Sequence, residues 1–285
     1  MYTYTVSGHN IQLKSPHDLS FLNNFDEVFS VHDDLISGNL CFGVKKNNEK
    51  LFLKYAGAQT KNYIGTTENA IQRLINAIPL YEKLKHKSLV NLRYHFELPS
   101  GIMLLFDYID GFPIGPLLAH KKALKNIPIY YRYSMLDSIF DFIKLVSEFD
   151  LICAGITDKS LLVNPLEYSL TLTSINSFVP MPFDNAAARL SGSALYLPPE
   201  AYRKNAILGE KVNVYIMGAL AMTLLGNRST NNIADWESSK ELYNTTIKAL
   251  NNNPNLRHKS PQAFLTEWRE GVGNIPDNMI FYDIN

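Results

Sequence analysis

The sequence predicts an α+β fold, with strands before residue 108 and mainly helices after it. Short apolar or alternating runs, separated by turn residues, recur before residue 108 and have the length and spacing of β-strands. After residue 130 the patterns are helical, and residues 212–225 are apolar on almost every side. A helix that lacks a polar face belongs in the interior of a large domain, with other helices around it. This run is also too short to span a bilayer.

The composition is that of an ordinary globular protein. The 285 residues suffice for one two-lobed domain or two small ones, and the 46% of hydrophobic residues can form a substantial core. The 27 basic and 27 acidic side chains balance, so no overall charge favours nucleic acid or an anionic membrane as a partner. The first twenty residues lack a basic stretch followed by an apolar core. We therefore expect no signal peptide and a cytoplasmic location.

The cysteine and histidine spacings do not predict a metal site. Cys41 and Cys153 lie far apart in apolar surroundings, which favours two buried thiols over a disulfide or a metal ligand pair. The seven histidines are scattered without an i,i+4 pair. A zinc site is therefore not expected.

The N-terminal elements follow from alternation and turn residues. Weak alternation predicts one strand over residues 2–13, and three more are predicted at residues 27–30, 35–45 and 50–55. Thr66, Thr67 and Glu68 can cap a helix that begins near Asn69. Pro79 falls inside the apolar pattern of this helix, which predicts a kink or a restart. Two further strands are predicted at residues 89–97 and 102–108.

The C-terminal elements are mostly helical. Residues 130–149 carry a strong amphipathic pattern, and a small hairpin is predicted from residues 161–163 and 169–173. A Pro-Pro-Glu turn at residues 198–200 precedes the apolar helix over residues 212–225. Helices over residues 235–250 and 261–268 complete the predicted chain.

The order and spacing of these motifs over residues 28–268 resemble the protein kinase fold. The Pro-Pro-Glu turn is similar to the Ala-Pro-Glu motif of that family, and Asn213-x-Tyr215-x-x-Gly218 is similar to its Asp-x-Trp-x-x-Gly. The turn before the last helix contains Arg257, whose counterpart in the family pairs with the Ala-Pro-Glu glutamate, here Glu200. The resemblance therefore implies a structural ion pair between Arg257 and Glu200.

The resemblance also implies a bilobal architecture. Residues 1–106 would contain an N-terminal extension and an N-lobe, with an antiparallel five-stranded sheet and the helix that the family calls helix C. Residues 107–285 would form a mainly helical C-lobe, and the linker after Phe106 would be the hinge.

Matching the nucleotide-binding motifs residue by residue gives an incomplete set. The resemblance makes Gly38 the last glycine of the phosphate loop, Leu40 the roof of the adenine and Lys54 the phosphate-binding lysine, with Ile109 as a further nucleotide contact. Phe52 stands where the family has a small alanine, so its ring would fill part of the adenine pocket.

The glutamate that the family places on helix C is also missing. Counting back from His86 puts Asn76 and Ala77 at its position, and neither is acidic. Glu82 follows a turn and a half later and would reach Lys54 only if the helix were shifted or rotated.

The residues for phosphotransfer are lost more completely. The family motif His-Arg-Asp falls on Cys153-Ala154-Gly155, so Gly155 replaces the general base, and Ser160 replaces the metal-binding asparagine. Asn176 replaces the aspartate of Asp-Phe-Gly, which keeps the shape and loses the charge that binds Mg²⁺. Asp158 and Asn164 form a fallback Asp/Asn pair, although we interpret Asp158 as a turn residue that bonds local backbone.

These losses predict a catalytically impaired protein kinase-like protein, a pseudokinase, similar to kinase-like proteins of Gram-positive gut bacteria. We expect it to act as a binding, scaffold or regulatory module whose partner is another protein, with neither nucleic acid nor membrane as a partner. No metal and no resident cofactor are expected. The alternatives are an atypical ATP-dependent protein kinase that uses Lys54, Asp158 and Asn164, and a switch that binds ATP with Mg²⁺ weakly and transfers no phosphate.

Overall fold

The computed structural model describes residues 1–115 and 118–275. This part of the chain is a mixed α/β structure with antiparallel sheets and six α-helices. It divides into two compact units. The first comprises Met1–Lys85 and Val90–Ile109, and the second comprises His86–Leu89 and the described chain from Asp110.

The first unit contains seven strands and one helix. The strands are β1 (Tyr2–Val6), β2 (His9–Leu13), β3 (Glu27–His32), β4 (Asn39–Lys46), β5 (Glu49–Ala56), β6 (Leu92–Leu98) and β7 (Gly101–Asp107), and the helix is α1 (Thr67–Lys83). Strands β3 to β7 form an antiparallel sheet in the order β3-β4-β5-β7-β6. This confirms the five strands that the sequence predicted between residues 27 and 108.

The N-terminal segment is a hairpin, so the prediction of one continuous strand over residues 2–13 was wrong. Ser7 and Gly8 both have positive φ angles, 47° and 81°, and reverse the chain between β1 and β2. Two adjacent residues with positive φ produce the tight turn that matches the twist of paired strands. The weak alternation across this segment concealed the turn.

The N-terminal segment covers one face of the five-stranded sheet, which we call the covered face. Five of its apolar side chains lie in a buried cluster with residues of β4, β5 and β7: Ile11, Leu13, Leu19, Phe21 and Leu22. Tyr55 of β5 is fully buried in this cluster, and its hydroxyl donates to the carbonyl oxygen of Ser100 at 2.8 Å. The covered face is thus a hydrophobic core in its own right.

Helix α1 begins as the sequence predicted, with the Thr66 hydroxyl accepting from the amide of Asn69 at 3.2 Å. The helix continues through Pro79 to Lys83, so the predicted restart does not occur. Pro79 is exposed and removes a single backbone donor. The buried residues of the helix lie on both sides of Pro79, so packing stabilises the helix before and after the proline. These residues are Ala70, Leu74, Ala77 and Tyr81.

The second unit contains five helices and seven short strands within the described residues. The helices are α2 (Leu118–Lys125), α3 (Ile129–Glu148), α4 (Glu210–Leu225), α5 (Lys240–Ala249) and α6 (Pro261–Gly273). The strands are β8 (Phe112–Pro113), β9 (Leu151–Ile152), β10 (Leu161–Asn164), β11 (Ser169–Leu172), β12 (Val179–Pro180), β13 (Phe183–Asp184) and β14 (Ile207–Leu208). The predicted hairpin is confirmed as β10 and β11, and β8 joins its edge.

Helix α4 lies at the centre of this unit, as its apolar sequence predicted. Almost all of its residues are buried, and it contacts α3, α5 and α6. Gly218 allows the closest approach, because a Cβ atom there would lie 2.8 Å from the Cβ of Ala249 on α5. None of the helices within the described residues combines the length and apolar character needed to cross a membrane.

Two helix boundaries and one further helix differ from the sequence prediction. Helix α5 begins at Lys240, where the Ser239 hydroxyl caps it, and residues Ile233–Asp235 form a separate 3-10 turn. Helix α6 continues past Trp268 to Gly273. Helix α2 was not predicted, because its short lysine-rich sequence has no clear apolar stripe.

Candidate functional site

Lys54 lies on the face of the sheet opposite the covered face. Its neighbours Leu53 and Tyr55 point into the buried cluster, so alternation along β5 turns Lys54 the other way. The side chain is only 5% exposed, and its Nζ lies 4.9 Å from the centroid of the Phe106 ring. Cys41 pairs with Lys54 in register; burial raises the pKa of its thiol to about 11, an effect that the charge of Lys54 partly opposes.

Leu40, the predicted roof of an adenine, lies on the opposite face of the sheet from Lys54. It pairs with Tyr55 in register and is completely buried in the cluster of the covered face. Cys41 occupies the Lys54 face instead. The fourth predicted nucleotide residue, Ile109, is half-buried at the end of the first unit.

Aromatic side chains occupy the Lys54 face further along the sheet. Phe52 and Gly43 pair in register, and Phe52 is half-buried. A Cβ atom on Gly43 would collide with the ring of Phe29, so that ring lies over Gly43 on the same face. We call this group of Phe29, Phe52 and Phe106 the aromatic face. Of these three residues, Phe52 stands at the position that the kinase resemblance places against an adenine.

The turn that contains Gly38 is closed by Tyr63 and Arg73. Gly38 is buried with φ of 77°, and a Cβ atom there would lie 2.5 Å from Cδ1 of the Tyr63 ring. Arg73 of α1 donates from Nη1 to the Tyr63 hydroxyl at 3.0 Å and from Nη2 to the Ser37 carbonyl at 2.5 Å. The backbone of this turn is therefore fastened to helix α1 and capped by an aromatic ring.

The buried stripe of α1 contains no carboxylate along the whole described helix. Ala77 is 1% exposed within this stripe, whereas Asn76 is exposed and accepts from Gln72 at 2.8 Å. Glu82 is also exposed and does not belong to the stripe. The buried stripe of α1 is therefore apolar, and Glu82 lies outside it.

In the second unit, the backbone around Gly155 leaves no room for a side chain. Gly155 has φ of 83°, and a Cβ atom there would lie 2.5 Å from the Cβ of Ser177. Its amide donates to the Ser191 carbonyl at 2.8 Å, which fixes this arrangement. A side chain at position 155 would therefore meet the side chain of Ser177.

Asn213 of α4 holds the segment that leads to Gly155. Its Oδ1 accepts from the amide of Cys153 at 2.8 Å, and its Nδ2 donates to the Leu151 carbonyl at 2.8 Å and to the Ser147 hydroxyl at 2.7 Å. Asn213 is completely buried. An amide satisfies both a donor and an acceptor of this backbone, which a carboxylate could not do.

Ser160 and Asn164 are engaged in local structure. The Ser160 hydroxyl accepts from the Thr157 amide at 2.9 Å and donates to the Thr157 carbonyl at 2.8 Å, and the first of these bonds is half of a capping box with the Thr157 side chain. The Oδ1 of Asn164 accepts from the amides of Leu166 and Glu167 in the β10–β11 turn. Asn176 is half-buried and precedes Ser177, the residue that packs on Gly155.

Asp158 starts a 3-10 turn, and the prediction that it bonds local backbone does not account for its Oδ1. This oxygen and the hydroxyl of Tyr196 are both buried, and the two side chains interact with each other. Burial raises the pKa of the Asp158 carboxyl. Burial, together with the neighbouring charge of Asp158, raises the pKa of the Tyr196 hydroxyl. The two groups thus lie close enough to interact electrostatically.

The structure brings Glu200 and Arg257 together. Arg257 donates from Nη1 to Oε1 at 2.6 Å and from Nη2 to Oε2 at 2.9 Å, and both residues are buried. The guanidinium also donates to the carbonyls of Asn251 and Lys211 and lies 4.9 Å from the Tyr215 ring centroid. This ion pair fastens the Pro-Pro-Glu turn to helix α4 and to the turn before α6.

Sequence reasoning missed three features of these sites. The first is the pairing of Asn213 with backbone groups of residues 151 and 153. Its signal was a polar residue inside an otherwise apolar helix, at the position where the matched motif has an aspartate. The covering of Gly38 by Tyr63, and of Gly43 by Phe29, had no signal in the sequence because each depends on two distant segments meeting.

Among the described residues, no cluster of three or more His, Cys, Asp or Glu side chains could hold a metal ion.

Comparison with known proteins relates the chain distantly to protein kinases. It is 22% identical over 253 residues to an LRR receptor-like serine/threonine-protein kinase of Arabidopsis thaliana, across 80% of this chain and 25% of that protein. It is also 22% identical over 242 residues to a probable receptor-like protein kinase of the same plant, across 78% and 27% of the two chains. The chain thus spans about a quarter of the relatives that it matches. No family model matches the chain.

Proposed function

We propose that this chain is a protein kinase-like domain that transfers no phosphate and acts by binding another protein. The proposal includes a bilobal kinase architecture, with residues 1–106 and 107–285 as its lobes. The distant similarity to plant receptor-like kinases supports the kinase relationship. The assignment to cytoplasmic proteins of Gram-positive bacteria is part of the proposal and depends on the motif resemblance.

The observation that carries the proposal is the packing at Gly155. General-base catalysis requires a proton acceptor within hydrogen-bond reach of the nucleophile. Gly155 has no side chain, and the contact between its Cβ position and Ser177 opposes any replacement that would restore one. Removing the base costs orders of magnitude in rate, and Ser160 and Asn176 provide no carboxylate for Mg²⁺.

The first unit supports the same conclusion for nucleotide binding. The aromatic face fills the strand positions that would contact an adenine, and Leu40 faces the opposite core. The Gly38 turn is fastened by Arg73 and capped by Tyr63. Backbone amides that cradle phosphates must be accessible, so a closed turn does not provide such a cradle.

A second candidate function is favoured by one observation, the burial of the Asp158 carboxyl beside the Tyr196 hydroxyl. Burial raises the pKa of the Asp158 carboxyl, and carboxyl groups whose pKa is shifted by burial occur at functional sites. In this alternative, the chain is an atypical kinase in which Asp158 is the base and Lys54 binds phosphate.

A phosphotransfer assay separates the two candidates. Purified protein is incubated with γ-labelled ATP, with Mg²⁺ or Mn²⁺, and with a mixed protein substrate. We expect label incorporation equal to that of the Asp158→Asn and Lys54→Ala variants. Label incorporation that Asp158→Asn and Lys54→Ala both abolish, and that the control Gly273→Ala leaves unchanged, would establish the atypical kinase and contradict the proposal.

A further inference from the structure

A basic pocket lies in the second unit, away from the Gly155 segment in sequence. Its volume is about 470 Å³, and its walls come from the chain after the Pro-Pro-Glu turn, from β14, from the first turn of α4 and from the turn before α6. Three cationic side chains line it: Arg203, Lys204 and Lys211. We call this cavity and its rim the basic pocket.

The only acidic residue that lines the basic pocket is already neutralised. Glu200 is engaged by Arg257 through two short hydrogen bonds, so its charge is compensated within the fold. Arg203 and Lys204 are exposed, whereas Lys211 is half-buried and donates to the His258 carbonyl at 2.6 Å. Burial and the charges of Arg257 and Lys259 lower the pKa of Lys211, against the opposing effect of Glu210. The pocket is therefore electropositive.

One exposed hydrophobic side chain belongs to the lining of the same pocket. Ile207 of β14 lines it and is 69% exposed. An exposed apolar side chain beside several cations can contact an apolar group of a ligand while the cations bind its charges. A phosphate ion would use the cations and leave Ile207 unused.

We propose that the basic pocket is a docking site for an acidic peptide segment of a partner protein. Carboxylates of the segment pair with Arg203, Lys204 and Lys211, and a large apolar side chain between them packs against Ile207. The charges supply attraction and register, and the apolar anchor supplies affinity. The site does not involve Gly155 or Lys54, so its failure would leave the absence of phosphotransfer untouched.

Fluorescence anisotropy with two labelled peptide pools tests this proposal. The acidic pool carries Asp and Glu around a central Leu, Ile, Phe or Trp, and the matched pool carries Asn and Gln instead. We expect the acidic pool to bind at least about tenfold more tightly than the amide pool, with an affinity that falls as salt rises. Arg203→Glu with Lys204→Glu should weaken binding by at least about tenfold, and Ile207→Ser should also weaken it.

A matched control removes the effect of net charge. Lys121→Glu with Lys122→Glu makes the same charge change at another exposed, adjacent cation pair, in α2. We expect this variant to bind the acidic pool as tightly as the unmodified protein. The proposal is overturned if the acidic pool does not bind, if both charge reversals weaken binding equally, or if Ile207→Ser has no effect. The proposal would also be overturned if inorganic phosphate or polyuridylate displaced the labelled acidic pool at a lower concentration than the unlabelled acidic peptides do.

Discussion

The packing at Gly155 gives a quantitative prediction for Gly155→Ala. A non-glycine residue in the left-handed region costs about 1–2 kcal/mol. The added Cβ would also lie 2.5 Å from the Cβ of Ser177, and inserting a methyl group into a packed site typically costs about 1–3 kcal/mol. The sum predicts that Gly155→Ala lowers the free energy of unfolding by about 2–5 kcal/mol.

Gly8→Ala separates the two contributions to this loss. Gly8 has φ of 81°, close to the 83° of Gly155, but a Cβ atom there would have no neighbour within 4 Å. We expect Gly8→Ala to lose only the backbone contribution of about 1–2 kcal/mol. Urea denaturation, followed by far-UV circular dichroism and tryptophan fluorescence, measures both variants. Gly273→Ala is the control for replacing glycine with alanine as such, because Gly273 has no positive φ and a Cβ atom there would have no neighbour within 4 Å.

A second substitution tests the role of Ser177 directly. Ser177→Gly removes the atom that the new methyl group would meet, so the double variant should recover stability relative to Gly155→Ala. The coupling between the two substitutions should lie within the range of about 0.5–3 kcal/mol found for residues in contact. Equal losses for Gly155→Ala and Gly8→Ala, together with zero coupling to Ser177, would refute the reasoning.

Three further predictions concern the second unit. Arg257→Met leaves Glu200 buried without its partner, which should lower the free energy of unfolding by about 3–5 kcal/mol; an unchanged urea midpoint would contradict a structural role for the pair. Asn213→Leu leaves the amide of Cys153 unpaired, and each such buried group costs about 1–3 kcal/mol, which thermal unfolding would detect. Burial raises the pKa of Asp158 in the folded state, so the folded protein binds this proton more tightly than the unfolded chain does. The contribution of Asp158 to the free energy of unfolding therefore falls as the pH rises from 3.8, the ordinary pKa of an aspartate, through the raised pKa of the folded state. Asp158→Asn should therefore increase stability relative to the unmodified protein at pH 7 and lose this advantage below pH 3.8; an equal effect at both pH values would contradict the assignment.

The elements of the fold were largely predictable, because their signals lie in continuous stretches of sequence. Residues 212–225 lack a polar face, and the structure buries α4 on all sides. The cap at Thr66 and the turn between β4 and β5 at Asn47 and Asn48, both with positive φ, also follow from local chemistry.

The details of the candidate site were less predictable, because they depend on which face of a strand a residue occupies and on contacts between distant segments. The motif match assigned Leu40 to a nucleotide, whereas pairing with Tyr55 turns it into the covered face. A register difference of one residue is enough to exchange the two faces of a strand. The exclusion of a side chain at Gly155 could not be inferred either, because it depends on Ser177.

The N-terminal segment also went unrecognised as part of a core. Its apolar residues are spread over a hairpin and a 3-10 turn, so no single periodicity marks them. Only their meeting with Leu53 and Tyr55 on the sheet explains why Ile11 and Leu13 are completely buried.

The most direct test of the central claim is the free energy of unfolding with and without excess ATP, in the presence of Mg²⁺, Mn²⁺ or no metal. We expect equal values under all these conditions, because we propose that the aromatic face and the closed Gly38 turn exclude a nucleotide. A ligand present at about 100 times its dissociation constant would add about 2.7 kcal/mol to the free energy of unfolding. A metal-dependent increase of this size that disappears in Lys54→Ala would contradict the proposal that the nucleotide site is lost.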